Sequence, residues 1–284
     1  MKRIVLSVVL CLQMLLGVAQ TRIVTDLNGP WQTVYSEKLP ATKSGDMSFN
    51  APKVPKGNWR TVNVPHNWDA YEGYRRMRHG NLHGYAWYQK TFTHNSYTKG
   101  KRLFLYFEGV GSYATVWLNG KKIGYHAGGR TTFTLDVTGI LLTNGKPNTL
   151  QVRADHPAEI RDLPWVCGGC SDERGFSEGS QPLGIFRPVS LIETNDTRIE
   201  PFGVHVWNGK VTNKDEANLE INTTIKNYKV KPDTINLRNS VFDAEGILVS
   251  NVNETLVLKE GDSVDVKQAF PTIRFPKLWS PKHP

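Results

Sequence analysis

Cysteine is scarce in this chain, with three residues in 284. That excludes a small scaffold held together by many disulfides. Acidic residues are outnumbered, 26 Asp and Glu against 35 Lys and Arg, giving a formal net charge of +9. No apolar run after the first 19 residues is long enough to cross a bilayer. No long segment carries the 3.6-residue periodicity of an amphipathic helix. A P-loop and an HExxH pair are missing, which removes two common nucleotide-binding and catalytic readings. What is present is ordinary: 39% hydrophobic and 10% aromatic residues. Such a composition excludes disorder, collagen and low complexity. The length predicts two domains, at ~100–200 residues each.

The first 19 residues read as an export signal. Lys2 and Arg3 precede an apolar stretch over 4–18, and Gly17, Val18 and Ala19 end it in a small-residue cleavage pattern. Cleavage after Ala19 predicts an exported protein, periplasmic or extracellular, with no membrane anchor. It lowers the charge from +9 to +7 through the loss of Lys2 and Arg3, and it removes Cys11.

The remainder reads as β-strands. β-rich runs recur at 103–107, 114–118, 131–137, 149–153 and 189–193, with turn residues between them. Asn119-Gly120 lies between two such runs and tolerates the positive φ angles of a tight hairpin. The prediction is an all-β chain, a sandwich or jelly roll over 20–198. The texture changes near residue 199, with strands expected at 203–207, 217–227, 234–243, 248–258 and 263–270. Their spacing predicts an immunoglobulin-like β-sandwich over 199–284. Five or six strands can be counted where about seven are expected, so this second sandwich is read as incomplete at its C-terminal end. The basic excess lies wholly in the first domain: Lys and Arg balance Asp and Glu over 199–284. The basic residues sit in separate loops and hairpins without a nucleic-acid-binding motif. No nucleic acid partner is expected.

Three segments are too particular for generic strand: 64–69 (VPHNWD), 83–90 (HGYAWYQK), and the tract from Asp162 to Val189. Trp31, Trp87 and Trp117 are expected in the core. Asn67 and Trp68 are expected to fix the turn after Pro65. Arg187 is expected to make a buried salt bridge or to cap a strand. Cys167-Gly-Gly-Cys170 reads as a disulfide closing a tight loop, since the glycines permit the sharp backbone. A free dithiol is the alternative. A thioredoxin-like motif lacks its βαβ setting. Zinc would need two further ligands, which His156 or His126 could supply without any paired spacing to support them. No metal site and no cofactor are therefore expected.

These segments carry a resemblance. The stretches VPHNWD, WYQKTF, LYFEGVGSYATVWLNGKKIGYHAGG, FTLDVT and GIFRPVSL, in this order, resemble the N-terminal part of glycoside hydrolase family 2. The likeness is greatest to β-galactosidase-like members from gut Bacteroidetes. LWSP, residues 278–281, resembles a segment near the end of that family's immunoglobulin-like domain. The resemblance implies a galactose-binding-like jelly roll followed by the immunoglobulin-like sandwich. It also implies a retaining exo-glycosidase whose two glutamates, about 5 Å apart, lie in a TIM barrel that would follow Pro284. No catalytic residue is assigned here, and the chain alone should not hydrolyse. The expected partners are that missing C-terminal barrel and the terminal sugar of a β-linked oligosaccharide or polysaccharide.

The resemblance also points to loops that shape the sugar pocket. His83 and Tyr85 lie in one candidate tract. Asp172, Glu173 and Glu178 are the carboxylates of the other, suited to accept hydrogen bonds from hydroxyls. Trp165 could offer an aromatic face to the sugar's C–H surface. Each has a plainer reading: a solvated or loop-pinning role for the carboxylates, a structural hydrogen bond for His83. A stand-alone lectin-like module and a two-sandwich scaffold remain the alternative functions.

Overall fold

A computed structural model describes residues 22–37, 56–68, 82–95, 100–157, 182–210, 212–278 and 281. Among these the chain is all β, with strands β1 to β17 numbered in chain order and no helix. The signal segment lies outside the described residues.

The first part folds as two facing sheets. One has four strands in the order β1 (Arg22–Asp26), β10 (Val189–Asn195), β5 (Lys101–Phe107) and β8 (Phe133–Asp136). The other has six, in the order β3 (Arg60–Val64), β2 (Gly29–Ser36), β4 (Gly84–Thr93), β9 (Pro147–His156), β6 (Tyr113–Leu118) and β7 (Lys121–Ala127). Every pairing is antiparallel. The alternation of β5 explains the core: Leu103, Leu105 and Phe107 point inward and are fully buried. They meet Trp31, Tyr88, Val116, Leu118, Leu150, Val152 and Leu191 in one cluster. Each such side chain contributes about 1.5–3 kcal/mol by leaving water.

The expected Asn119-Gly120 hairpin is present. Asn119 (φ 54°) and Gly120 (φ 79°) connect β6 to β7, with Leu118 opposite Lys121. Asn119 also ties the hairpin down, because its Oδ1 accepts from the Thr149 N–H at 2.9 Å. Trp31 is in the core, as expected. Trp87 and Trp117 are buried as expected, 3% and 1% exposed, on the other face of the six-stranded sheet. Trp87 sits between two inward-facing residues, Ala86 and Tyr88, so the period of two turns it to the opposite face of the sheet. There it stacks on Trp117 at 5.1 Å.

A single residue, Asp196, separates β10 from β11 (Thr197–Asn208). The texture change near residue 199 therefore falls within a strand. β11 pairs with β13 (Leu219–Asn227), which pairs with β16 (Ser263–Ala269). β14 (Asp233–Phe242) and β15 (Leu248–Leu258) form a hairpin, and the two-residue strands β12 (Glu216–Ala217) and β17 (Ile273–Arg274) pair with each other. The small core holds Ile225, Leu237, Leu258 and Val266. β14 has β15 as its only neighbour among the described strands. Val206, which the register places beside buried Ile221, is 56% exposed.

Stacked cations join the two parts. The Arg198 guanidinium lies 3.6 Å from the Phe104 ring centroid and pairs with Glu200 at 3.3 Å. Tyr228 packs on Phe104 at 5.8 Å, lies beneath Arg102 at 4.6 Å and donates to Glu200 at 3.0 Å. Desolvated contacts of this kind contribute about 2 kcal/mol. Replacing Arg198 by Ala is expected to uncouple the sandwiches, splitting one calorimetric unfolding transition into two. A single unshifted transition would show that the joint does not depend on Arg198.

Candidate functional site

The three particular segments meet at one end of the first sandwich. The His66 N–H donates to the Ile185 carbonyl at 2.7 Å, and the Trp68 N–H to the Leu183 carbonyl at 2.9 Å. Gly111 N–H donates to the Gly184 carbonyl at 3.0 Å, closing an isolated bridge. The His66 ring Nδ1 lies 2.7 Å from the Tyr88 hydroxyl. A Cβ on Gly184 would stand 2.3 Å from that hydroxyl and 2.7 Å from the His66 carbonyl, and Gly184 has φ +134°. Glycine is thus required both by space and by backbone. It lets 182–189 close against 64–68 and β4.

His83 precedes β4 at this end. Its carbonyl accepts from the Tyr35 hydroxyl at 2.7 Å, and its ring stacks on His156 at 5.0 Å with the planes 13° apart. His156 ends β9 and is fully buried, with Nδ1 2.8 Å from the Ser112 hydroxyl. Burial, with His83 beside it, lowers the His156 pKa to about 3. Burial, with Arg60 nearby, lowers that of His66 to about 4. Both rings are neutral at physiological pH. Each is hydrogen-bonded within the protein, His156 to Ser112 and His66 to Tyr88, so both hold the segments of this end together.

Tyr85 lies on the outward face of β4, in one row with Asp155 and Tyr113. The Arg153 guanidinium sits 5.2 Å from its ring and pairs with Asp155 at 2.6 Å, both charges being buried. Burial raises the Asp155 pKa and Arg153 opposes that rise. Tyr85 and His83 are therefore close in sequence but differently held, one against an ion pair and one against a neutral imidazole. Trp68 is buried and stacks near Tyr35 at 5.2 Å, with the Arg60 guanidinium 3.9 Å from its ring. That fits a role in fixing the turn after Pro65. The expectation of a buried salt bridge for Arg187 is corrected: it is exposed, with its guanidinium 5.8 Å from the Phe186 ring, two residues before β10 begins.

Trp165, Cys167, Cys170, Asp172, Glu173 and Glu178 lie outside the described residues. Sequence reasoning missed the partnership of Ser112, His156 and His83. His156 stood out only as a distant zinc candidate, because neither strand pairing nor burial can be read from an isolated histidine. Among the described residues no group of three or more His, Cys, Asp or Glu is placed to hold a metal.

The paired histidines also predict a pH response. Unfolded histidine binds its proton below about pH 6.5, whereas folded His156 and His66 resist it to about 3 and 4. Between these limits the unfolded state binds more protons, so stability falls as pH falls. We expect a loss of about 1.4 kcal/mol per pH unit for each ring. Urea midpoints at pH 7, 6 and 5 check this, and His156→Gln should flatten the slope by about half.

The fold defines the class to which this chain belongs: an antiparallel β-sandwich whose distinctive segments converge at one end. Residues 74–162 match the family model described as the glycosyl hydrolase 2 galactose-binding domain-like. The chain is 27% identical to the β-galactosidase BoGH2A of Bacteroides ovatus, over 90% of this chain and 28% of that protein. It is 28% identical to a β-glucuronidase of Bacteroides fragilis, over 87% of this chain and 34% of that protein. The crystal structure of a Bacteroides uniformis β-glucuronidase superposes with a TM-score of 0.71 at 25% identity, over 92% of this chain and 29% of that one. The resemblance to glycoside hydrolase family 2 is thereby shown, and the chain corresponds to the N-terminal part of such proteins. It spans about a third or less of the curated relatives it matches.

Proposed function

We propose that this chain is the non-catalytic N-terminal portion of an exported retaining exo-β-glycosidase of the β-galactosidase-like kind. In this reading the end of the first sandwich helps shape the pocket for the terminal sugar. A TIM barrel supplies the acid/base and nucleophile, separated by about 5 Å as double displacement requires. The observation that carries the reading is the convergence of 64–68, 83–85 and 182–186 at one end of a galactose-binding-like sandwich. His83 and Tyr85, partly exposed at this end, are the side chains placed to meet a sugar there. Export rests on Lys2, Arg3, the apolar stretch over 4–18 and the small residues ending at Ala19.

The terminal sugar is proposed to be galactose. The relatives' names include both galactosidase and glucuronidase. Assaying the purified chain with nitrophenyl β-galactoside and β-glucuronide tests the non-catalytic reading. No nitrophenol release above buffer is expected. Release from either one, in a preparation free of contaminating glycosidase, would overturn it.

A further inference from the structure

A second cleft lies at the far end of β10 from Gly184. Its volume is about 670 Å³, and it opens between the outer face of the four-stranded sheet and the start of β11. That size falls within the ~300–1,000 Å³ of small-molecule sites, which gather at junctions between folded units. Tyr106, Ile192 and Thr194 form one wall, and Phe202 stands on the other. Arg22 lines the rim and has no ion-pair partner among the described residues.

Phe202 is the anomaly that calls for an account. It occupies the left-handed region at φ 56°, in the stretch between Ile199 and Val204 where the pairing of β11 shifts. A bulky side chain is disfavoured there. Its ring is also 65% exposed, so packing does not offset the conformation. Strained backbone of this kind gathers at functional positions. An exposed aromatic face, an unpaired guanidinium and hydroxyl groups around one cleft are the parts that hold a sugar ring bearing a carboxylate. The ring's C–H face stacks on the aromatic, and the fork of the guanidinium matches the carboxylate.

We propose that this cleft binds a uronic-acid-containing saccharide, with Phe202 as the stacking platform and Arg22 as the carboxylate partner. Arg198, which also lines the cleft, is paired with Glu200, so Arg22 is the guanidinium left for the carboxylate.

The test is an NMR titration of the chain with trigalacturonate and, for comparison, neutral galactotriose. Trigalacturonate is expected to shift the amides of 192–204, binding about fivefold more tightly than galactotriose at low salt, a difference of about 1 kcal/mol. Arg22→Ala should erase that preference, as should 0.5 M salt. Phe202→Ala should weaken both ligands by about fivefold. His83→Ala should change nothing here, which separates this site from the proposed sugar pocket. The proposal is overturned if neither saccharide perturbs 192–204 or if both variants bind as the parent does. It is also overturned if the chain self-associates and Phe202→Ala makes it monomeric, since a polypeptide would then be the occupant.

Discussion

Gly184→Ala should destabilise the first sandwich by about 3–5 kcal/mol, combining an overpacked contact with a disfavoured backbone. The added methyl would lie 2.3 Å from the Tyr88 hydroxyl and 2.7 Å from the His66 carbonyl. Neither can retreat easily. Tyr88 is fully buried in the core and is held by His66 at 2.7 Å. His66 in turn is fixed by its N–H bond to Ile185. A melting temperature lower by about 10 °C is expected for a domain of this size. Gly120→Ala is the control. It too has positive φ, but nothing lies within 4 Å of its Cβ. Its loss should be about 1–2 kcal/mol, from backbone alone. Equal losses at the two positions would show that the Gly184 contact does not hold 182–189 in place. The same substitution should weaken sugar binding, since it parts the segments that build the site.

Asp155→Ala should cost about 3–5 kcal/mol, because it strips the carboxylate 2.6 Å from Arg153 and leaves a buried cation behind. The pair is costly to assemble as well as to break. Burial raises the Asp155 pKa against the pull of Arg153, which signals that desolvation is heavy. Replacing both residues by Leu should therefore recover most of the loss. Urea midpoints of the two single variants and the double variant measure the coupling. If the double variant is as unstable as the single ones, packing around Tyr85 and Tyr113 outweighs the stranded charge. Asp155→Ala should also loosen Tyr85, whose ring lies under Arg153, and so reach the candidate site indirectly.

Much of the fold was legible because β structure writes itself locally. Alternation in 103–107 and the Asn-Gly turn after Leu118 correspond to β5 and to the β6–β7 hairpin. In the second sandwich 248–258 coincides with β15, and 263–270 exceeds β16 by one residue. What could not be read was the face on which a residue sits once both faces are covered. Trp87 is buried as its composition suggests, but only its register shows that it faces away from Leu103 and Leu105 and onto Trp117. Arg187 reads as a buried salt bridge or a strand cap, and the structure shows it exposed. The site was half legible. Its segments stood out by their glycines, histidines and tryptophans. Their meeting depends on pairings far apart in sequence, such as Gly111 with Gly184, which no local pattern encodes.

The central claim is that the end of the first sandwich contacts the terminal sugar. Imidazole and amide NMR signals of His83, Tyr85 and His156, followed during titration with methyl β-galactoside, test it most directly. The claim predicts saturable shifts at these residues, abolished by His83→Ala and reduced by Gly184→Ala. Shifts absent from 83–85 and 156 up to high millimolar sugar, or unchanged in His83→Ala, would contradict it.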